Sequence, residues 1–385
     1  MLASNNNKQR LRSAFTLGKG EKLLQDNPRD IVRQVFWHHN ITQRAISEAT
    51  KIPQQTVSRL VNGLLEQGIL QSSEDTHCSR GKVSFGLVPN AGYGYCFGLS
   101  VLLDAISVAV MNFKGEVIAT QLVRLDDMSI ASVIGKAQTV VAAMSQQYEL
   151  DPARAIGMGV GISGFFSSTD GKMNIHHAIE EWATINIAET IAEAFNLPTW
   201  VVNDGTGAAA GEGIAGAGRR YKNFVYLFVS SAFGGGLINN GEMIRGTNGN
   251  AGELGDMLPA KLYSHPNLQL LERILLKHGI EIPSIYQLNE VFDPNWPGVD
   301  EWIYKVQDSF DLVVTCSSAL LDSQAIIIGG HIPTKLAEMV IPRIDVYAQF
   351  RRGAKRPLPE IVSAQVTDSP VAVGAATLPL REWFL

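Results

Sequence analysis

The sequence predicts an α/β protein with a small helical head: an N-terminal winged helix-turn-helix, then two stacked α/β lobes with a ligand cleft between them. Three observations carry this. Helical-period segments between residues 28 and 67 are followed by two short β-type runs, 69–71 and 83–87. After Pro89, an order of strand, strand, strand, helix, strand, helix starts at residue 95 and starts again near residue 224. Charge divides at the same place: residues 1–90 hold 12 Lys and Arg against 7 Asp and Glu, the remainder 20 against 30. A basic head on an acidic body suits a polyanion-binding module whose body the polyanion repels.

Each element has its own signals. Residues 1–27 are polar and lack a steady period, and read as an extension. From Pro28 a first helix buries Ile31, Val32, Val35 and Phe36 and closes at Asn40. Thr42 is a fit N-cap for a second, over 43–50, with Ala45, Ile46 and Ala49 inward. Lys51, Ile52 and Pro53 make the turn. A third helix over 54–67 buries Val57, Leu60, Val61, Leu64 and Leu65, and Gly68 ends it. Its outward face carries Gln54, Gln55, Thr56, Ser58, Arg59 and Asn62, with no acid before Glu66. Such planar and hydroxyl groups approach phosphates and base edges without charge repulsion. Arg44 on the second helix joins that face. Between the hairpin runs, residues 72–82 read as a polar tip, where Arg80 and Lys82 flank Gly81 for a minor groove or its phosphates. A helical subdomain used only for dimerisation is the alternative reading.

The body reads as strands over 95–111 (a hairpin), 116–121, 155–162, 199–204, 224–229, 234–238 and 325–330. Helices are expected over 130–148, 187–195, 205–216, 268–278 and 371–378. Domain limits follow: 28–88 for the head, 89–205 for a first lobe, and 206–385 for a second, with the chain returning to the first near its end. Among 385 residues no stretch of eighteen is wholly apolar, and the basic N-terminus has no apolar core behind it. Neither a membrane span nor a secretory signal is expected. Cys78, Cys96 and Cys316 are far apart, which argues against a disulfide framework or a cysteine-built zinc site and for a cytoplasmic address. Adjacent His176 and His177 are expected to point apart rather than share a metal.

Several segments, in order, resemble one family. They are 42–45, 51–59 and 64–70 in the head, and in the body Gly159 to Gly164, Val202 to Glu212 (close to NDxNxxAxGE), Asn250 to Asp256 (close to AGExGH) and Ile328-Gly329-Gly330. This is similar to the ROK family of repressors and sugar kinases, and the similarity covers roughly residues 29–380. It implies an actin/hexokinase-like two-lobed body. It also implies sugar contacts at Gly164, Asn203, Asp204, Glu253, Asp256 and Glu272.

The departures from the family pattern are as informative. Ser100 stands where the kinases' DxGxT loop has its aspartate, and Leu102 and Leu103 crowd that loop. The second phosphate turn reads Ser230-Ser231-Ala232-Phe233-Gly234 in place of GTGxG. The zinc motif is missing, with Asp256 in place of its histidine. The resemblance therefore implies no cofactor, no metal and no catalysis. It implies a regulator that binds double-stranded operator DNA as a homodimer or homotetramer and responds to a sugar or sugar derivative. A kinase with an added head, or a repressor governed by a protein partner, are the rivals.

Overall fold

The computed structural model describes residues 23–38, 40–79, 82–167, 172–347 and 356–385. The head comprises α1 (Asp26–His38), α2 (Gln43–Thr50), α3 (Gln54–Glu66) and the hairpin of β1 (Leu70–Ser79) and β2 (Lys82–Pro89). Thr42 caps α2, its hydroxyl accepting from Ala45 N–H at 3.3 Å, a cap whose loss costs about 1 kcal/mol. Leu87 N–H donates to Ile41 O at 2.9 Å, which ties the hairpin to the start of α2. Two expectations change here. The paired strands run through Ser79 and Lys82, so much of the supposed polar tip is β-ladder, with a register shift between Ser72 and Thr76; Arg80 and Gly81 lie outside the described residues. In α2 only Ile46 is buried; Ala49 is exposed, because eight residues present little more than one apolar point to α1 and α3.

The body begins with β3 (Tyr95–Val101), β4 (Ala105–Asn112), β5 (Val117–Arg124), α4 (Ile130–Gln147) and β6 (Ala155–Ile162). A small hairpin follows, β7 (Gly164–Phe166) and β8 (Met173–Ile175), then α5 (Ile187–Phe195), β9 (Thr199–Asn203) and α6 (Asp204–Ala215). The second half holds β10 (Phe224–Val229), β11 (Phe233–Asn239), β12 (Glu242–Met243), α7 (Leu268–Lys277), α8 (Leu288–Val291) and α9 (Val299–Leu321). Then come β13 (Ala325–Gly330), α10 (Thr334–Val340), β14 (Glu360–Ser363), α11 (Pro370–Ala376) and α12 (Leu378–Trp383). The single expected C-terminal helix is thus two, divided at Thr377, whose hydroxyl bonds back to Gly374 O at 2.7 Å.

Two five-stranded sheets have matching topology, β5-β4-β3-β6-β9 and β12-β11-β10-β13-β14. In each, an antiparallel meander pairs with parallel strands: β3 with β6 and β9 beyond, β10 with β13 and β14 beyond. The chain is thus an internal duplication at the level of strand order. Between the sheets lie α6 and α11, both made of small residues. Glu212 of α6, fully buried, accepts from the N–H groups of Ala217, Gln365 and Val366 at 2.6, 2.8 and 3.0 Å, which locks the run into α11 onto α6. The head's core continues into the body: Phe36 and Ile31 share one apolar cluster with Phe113, Ile214, Leu380 and Phe384. No helix among the described residues is long and apolar enough to cross a membrane.

Candidate functional site

Asp204 is the first residue of α6, not the last of a strand. Asn203 caps the helix: its Oδ1 accepts from Gly205 N–H at 2.9 Å and Thr206 N–H at 3.2 Å, while its Nδ2 donates to Gly164 O at 2.8 Å. The Asn203 amide is thereby spent on backbone, where it positions the start of α6 against Gly164. Gly164 has φ +146°, and a side chain there would run into Asn174 O across the β7–β8 hairpin. Asp204 accepts from Gly205 N–H at 2.9 Å and from Ser163, yet desolvation outweighs these bonds and pushes its carboxyl above the usual range.

Glu253 arrives from the opposite half. Gly252, with φ +104°, sits so close to β11 that an added Cβ would lie 2.8 Å from Gly235 O, and one on Gly205 would lie 2.6 Å from the same oxygen. Bare backbone at these points lets α6, β11 and the 250–253 loop converge. Glu253 is pushed up to about 7, by desolvation first, then by Asp204 and Asp256 nearby. Gly164, Asn203, Asp204, Glu253 and Asp256 therefore gather at one end of the interlobe cleft, with Asp256 exposed at its rim. Glu272 does not join them. It is exposed on α7, whose buried face of Leu268, Leu271, Ile274 and Leu275 packs into the second half's core, and among the described residues it shares no hydrogen bond or ion pair with the group.

The gathered carboxylates can accept from adjacent hydroxyls of a polyol, and ionisation strengthens those bonds. The raised Glu253 favours its neutral form in the fold. Its contribution to stability is full below about pH 4.5 and is lost as pH rises towards 7. Glu253→Gln is expected to flatten the stability profile between those limits and to leave the protein more stable than wild type at neutral pH. Urea unfolding across pH 4.5–8 checks this; an unchanged slope counts against the assignment.

The two turns that resemble the family's phosphate loops are bonded within the chain. Leu103 N–H donates to Tyr286 Oη at 3.3 Å across the lobes, and Tyr286 also hydrogen-bonds Ser231. Ser230 Oγ lies 2.8 Å from His331 Nδ1, and the His331 ring packs edge-on to Tyr286 at 4.8 Å. Gly330 N–H donates to Tyr226 Oη at 2.7 Å. Burial pushes His331 down to about 4 and Tyr286 up to about 12, so both stay neutral near pH 7. Tyr286 and His331 carry no motif; they are found only through contacts between segments remote in sequence. Nor do the residues suit zinc. His265 Nε2 is bonded to Leu258 O at 2.7 Å, Ser309 Oγ holds Ser264 O at 2.6 Å, and no cysteine is near in sequence. His176 and His177 do not diverge as expected: His176 caps a 3₁₀ turn and the rings stack 4.1 Å apart. Among the described residues no group of three or more His, Cys, Asp or Glu could hold a metal ion.

In the head, Gln54, Gln55, Arg59 and Asn62 are exposed on α3, with Thr56 and Ser58 half-buried beside them. A groove of about 560 Å³ runs from Gln25–Pro28 to Thr56 and Arg59. Arg44 is exposed on α2 and paired with Glu48 at 2.9 Å. Lys82 opens β2, while Arg80 is outside the described residues.

The chain is similar to known proteins in both its head and its body. Residues 96–269 match the ROK family model and residues 38–77 the MarR family model. The xylose repressor of Bacillus subtilis is 26% identical over 231 residues, which is 60% of either chain. The DNA-binding transcriptional dual regulator NagC of Escherichia coli is 21% identical over 390 residues, 95% of each. Among solved structures, a ROK family transcriptional regulator described as a homologue of the E. coli MLC protein has a TM-score of 0.65 at 17% identity, covering 92% of this chain and 95% of that one. A ROK family glucokinase from Streptomyces griseus, solved with glucose and AMPPNP, has a TM-score of 0.57 at 20% identity, covering 74% and 99%. At these identities the two structures establish the fold, an N-terminal winged helix on an actin/hexokinase-like body in the first case and the body alone in the second.

Proposed function

Residues 96–269 carry a ROK family domain, and on that premise we propose that the chain is a sugar-responsive transcriptional repressor whose body senses its sugar and does not phosphorylate it. The α3 face reads double-stranded operator DNA, with the head working as a homodimer or homotetramer on paired half-sites. The Asp204–Glu253 end of the cleft takes the sugar. One observation carries the reading: the backbone and hydroxyl groups that would face a triphosphate are bonded to Tyr286, His331 and Tyr226, while the carboxyl of Asp204 is close enough to that of Glu253 to raise its pKa. Ligand binding then shifts the head only by its differential affinity for two arrangements of the body.

The residues divide the work, and that is the test. Arg59→Ala is expected to weaken operator binding about 10- to 100-fold at fixed salt and to leave sugar binding intact. Asp204→Asn is expected to weaken sugar binding about 50-fold and to leave operator binding intact, since it replaces a charged acceptor. Fluorescence anisotropy on operator DNA and calorimetry with a sugar panel measure both. Xylose heads the panel because a repressor of that name aligns with this chain. Equal damage to both activities by either change would refute the division. Incubation with ATP, magnesium and the same sugars is expected to release no ADP above background; turnover would favour the kinase alternative.

A further inference from the structure

A second cleft of about 500 Å³ adjoins the carboxyl site. Phe166 of β7, Val201 and Val202 of β9, Thr206 of α6 and the loop from Arg245 to Asn250 line it. Each of three elements that build the carboxyl site also reaches this cleft. β7 runs from Gly164 to Phe166, α6 from Asp204 to Thr206, and the loop from Glu253 back to Asn250. Two residues of strand span about 6–7 Å, roughly one sugar ring. Asn250 is fixed there by paired bonds with Phe166, its Oδ1 accepting from the N–H and its Nδ2 donating to the carbonyl, both at 2.8 Å. The lining is thus apolar at its base, amide- and hydroxyl-bearing along the loop, and carries one cation among its named residues, Arg245.

Arg245 does not stand idle: it is paired with Glu382 of α12. Glu382 neighbours Arg381, whose carbonyl accepts from Arg29 of α1 at 2.8 Å and whose guanidinium lies 5.8 Å from the Trp37 ring centre. Trp383, on the other side of Glu382, packs edge-on to Trp200 of β9 at 5.2 Å. The cation of the cleft and the seat of the DNA-reading head are therefore two links apart.

We propose that this cleft is an anion subsite, in which Arg245 exchanges Glu382 for the phosphate or carboxylate of an acidic sugar. The exchange frees α12 and so reaches the head. The proposal rests on the sensing role of the carboxyl site, and it fixes the ligand class as a sugar carrying a negative charge. Arg245 is exposed and Glu382 half-buried, so solvent reaches the pair, it holds weakly, and a ligand anion can displace it without a large penalty.

Inorganic phosphate is the probe for the subsite alone. In the full chain, with chloride matching ionic strength, 10 mM phosphate is expected to raise the unfolding temperature by about 2 °C. Arg245→Gln should abolish that rise, Arg245→Lys should keep part of it, and Glu382→Gln should strengthen phosphate binding several-fold by removing the competitor. No rise in the wild type, or a rise unchanged in Arg245→Gln, overturns the subsite. Calorimetry then compares glucose with glucose 6-phosphate and glucuronate. An acidic sugar preferred at least tenfold by wild type and not by Arg245→Gln supports the proposal; equal affinity for neutral and acidic forms overturns it. Asp204→Asn separates the two readings. It should weaken sugar binding and leave the phosphate response whole; a phosphate response kept alongside undiminished sugar binding in this variant faults only the carboxyl site, and a phosphate response lost with it faults only the subsite.

Discussion

Gly374→Ala is expected to destabilise the protein by about 3–5 kcal/mol or to prevent folding, although it adds one methyl group to a helix. Alanine is ordinarily the better helix former by about 1 kcal/mol. Here the added Cβ would overlap Gly207 O of α6, and the neighbouring approach is equally tight: a Cβ on Gly211 would lie 2.8 Å from Gly374 N. On its other side α11 rests on the first sheet, where side chains at Gly98 and Gly159 would strike Ala372 O and Ala375 O. The helix is pressed between backbone on both faces, and backbone does not yield by a rotamer change. Gly135→Ala in α4 is the control, since nothing lies within 4 Å of its Cβ position; it should stabilise by about 0.5–1 kcal/mol. Denaturant unfolding followed by tryptophan fluorescence measures both. A Gly374→Ala protein within 1 kcal/mol of wild type would mean the seam between the lobes is slack.

That seam explains why the body's strands were legible in the sequence and its assembly was not. β6, β10 and β13 are buried throughout, and continuous apolar runs with glycine breaks announce such strands. The long α9 is harder to see. Its buried face includes Ser309, Asp311, Ser317 and Ser318, which interrupt the apolar period. Those polar groups serve loops: Ser309 Oγ holds Ser264 O, and Asp311 accepts from Asp345 N–H at 2.8 Å. The carboxyl site was legible because Asn203-Asp204 and Gly252-Glu253 are local patterns tied to turns. The role of Asn203 was only half visible, since a cap and a ligand contact look alike until the partners are known. Glu272 fell to the converse problem, in which a motif neighbour faces solvent from a helix whose phase the sequence leaves free. Tyr286 on Leu103, 183 positions apart, has no local cue at all.

Arg381→Met is expected to cost about 3–5 kcal/mol and, in the protein that still folds, to separate sugar binding from DNA binding. Arg381 is 4% exposed, and its guanidinium donates to Gly241 O at 2.9 Å and Ala210 O at 3.3 Å. Desolvation pulls its pKa down to about 10, so it remains charged at any pH the protein would meet. Methionine fills much of the volume and packs on Trp37, yet it leaves both carbonyls without that donor. Through Arg381 the turn after β11, the middle of α6, α12 and the head's first helix meet at one side chain. Arg33, which donates to Leu385 O and lies 3.7 Å from Glu242, adds a second tie beside it. Under the proposed function, a head held this way moves with the body, and a ligand that resets the body would reset the spacing of paired heads on DNA. With the side-chain links to Gly241, Ala210 and Trp37 cut and the main-chain bond from Arg29 kept, Arg381→Met should bind operator within a few-fold of wild type and bind sugar normally, but show no sugar effect on operator affinity. Arg381→Lys, which keeps the charge and loses the fork, should fall between. A full sugar response in Arg381→Met would place the coupling elsewhere, in the apolar contact of Phe36 with Ile214 and Phe113.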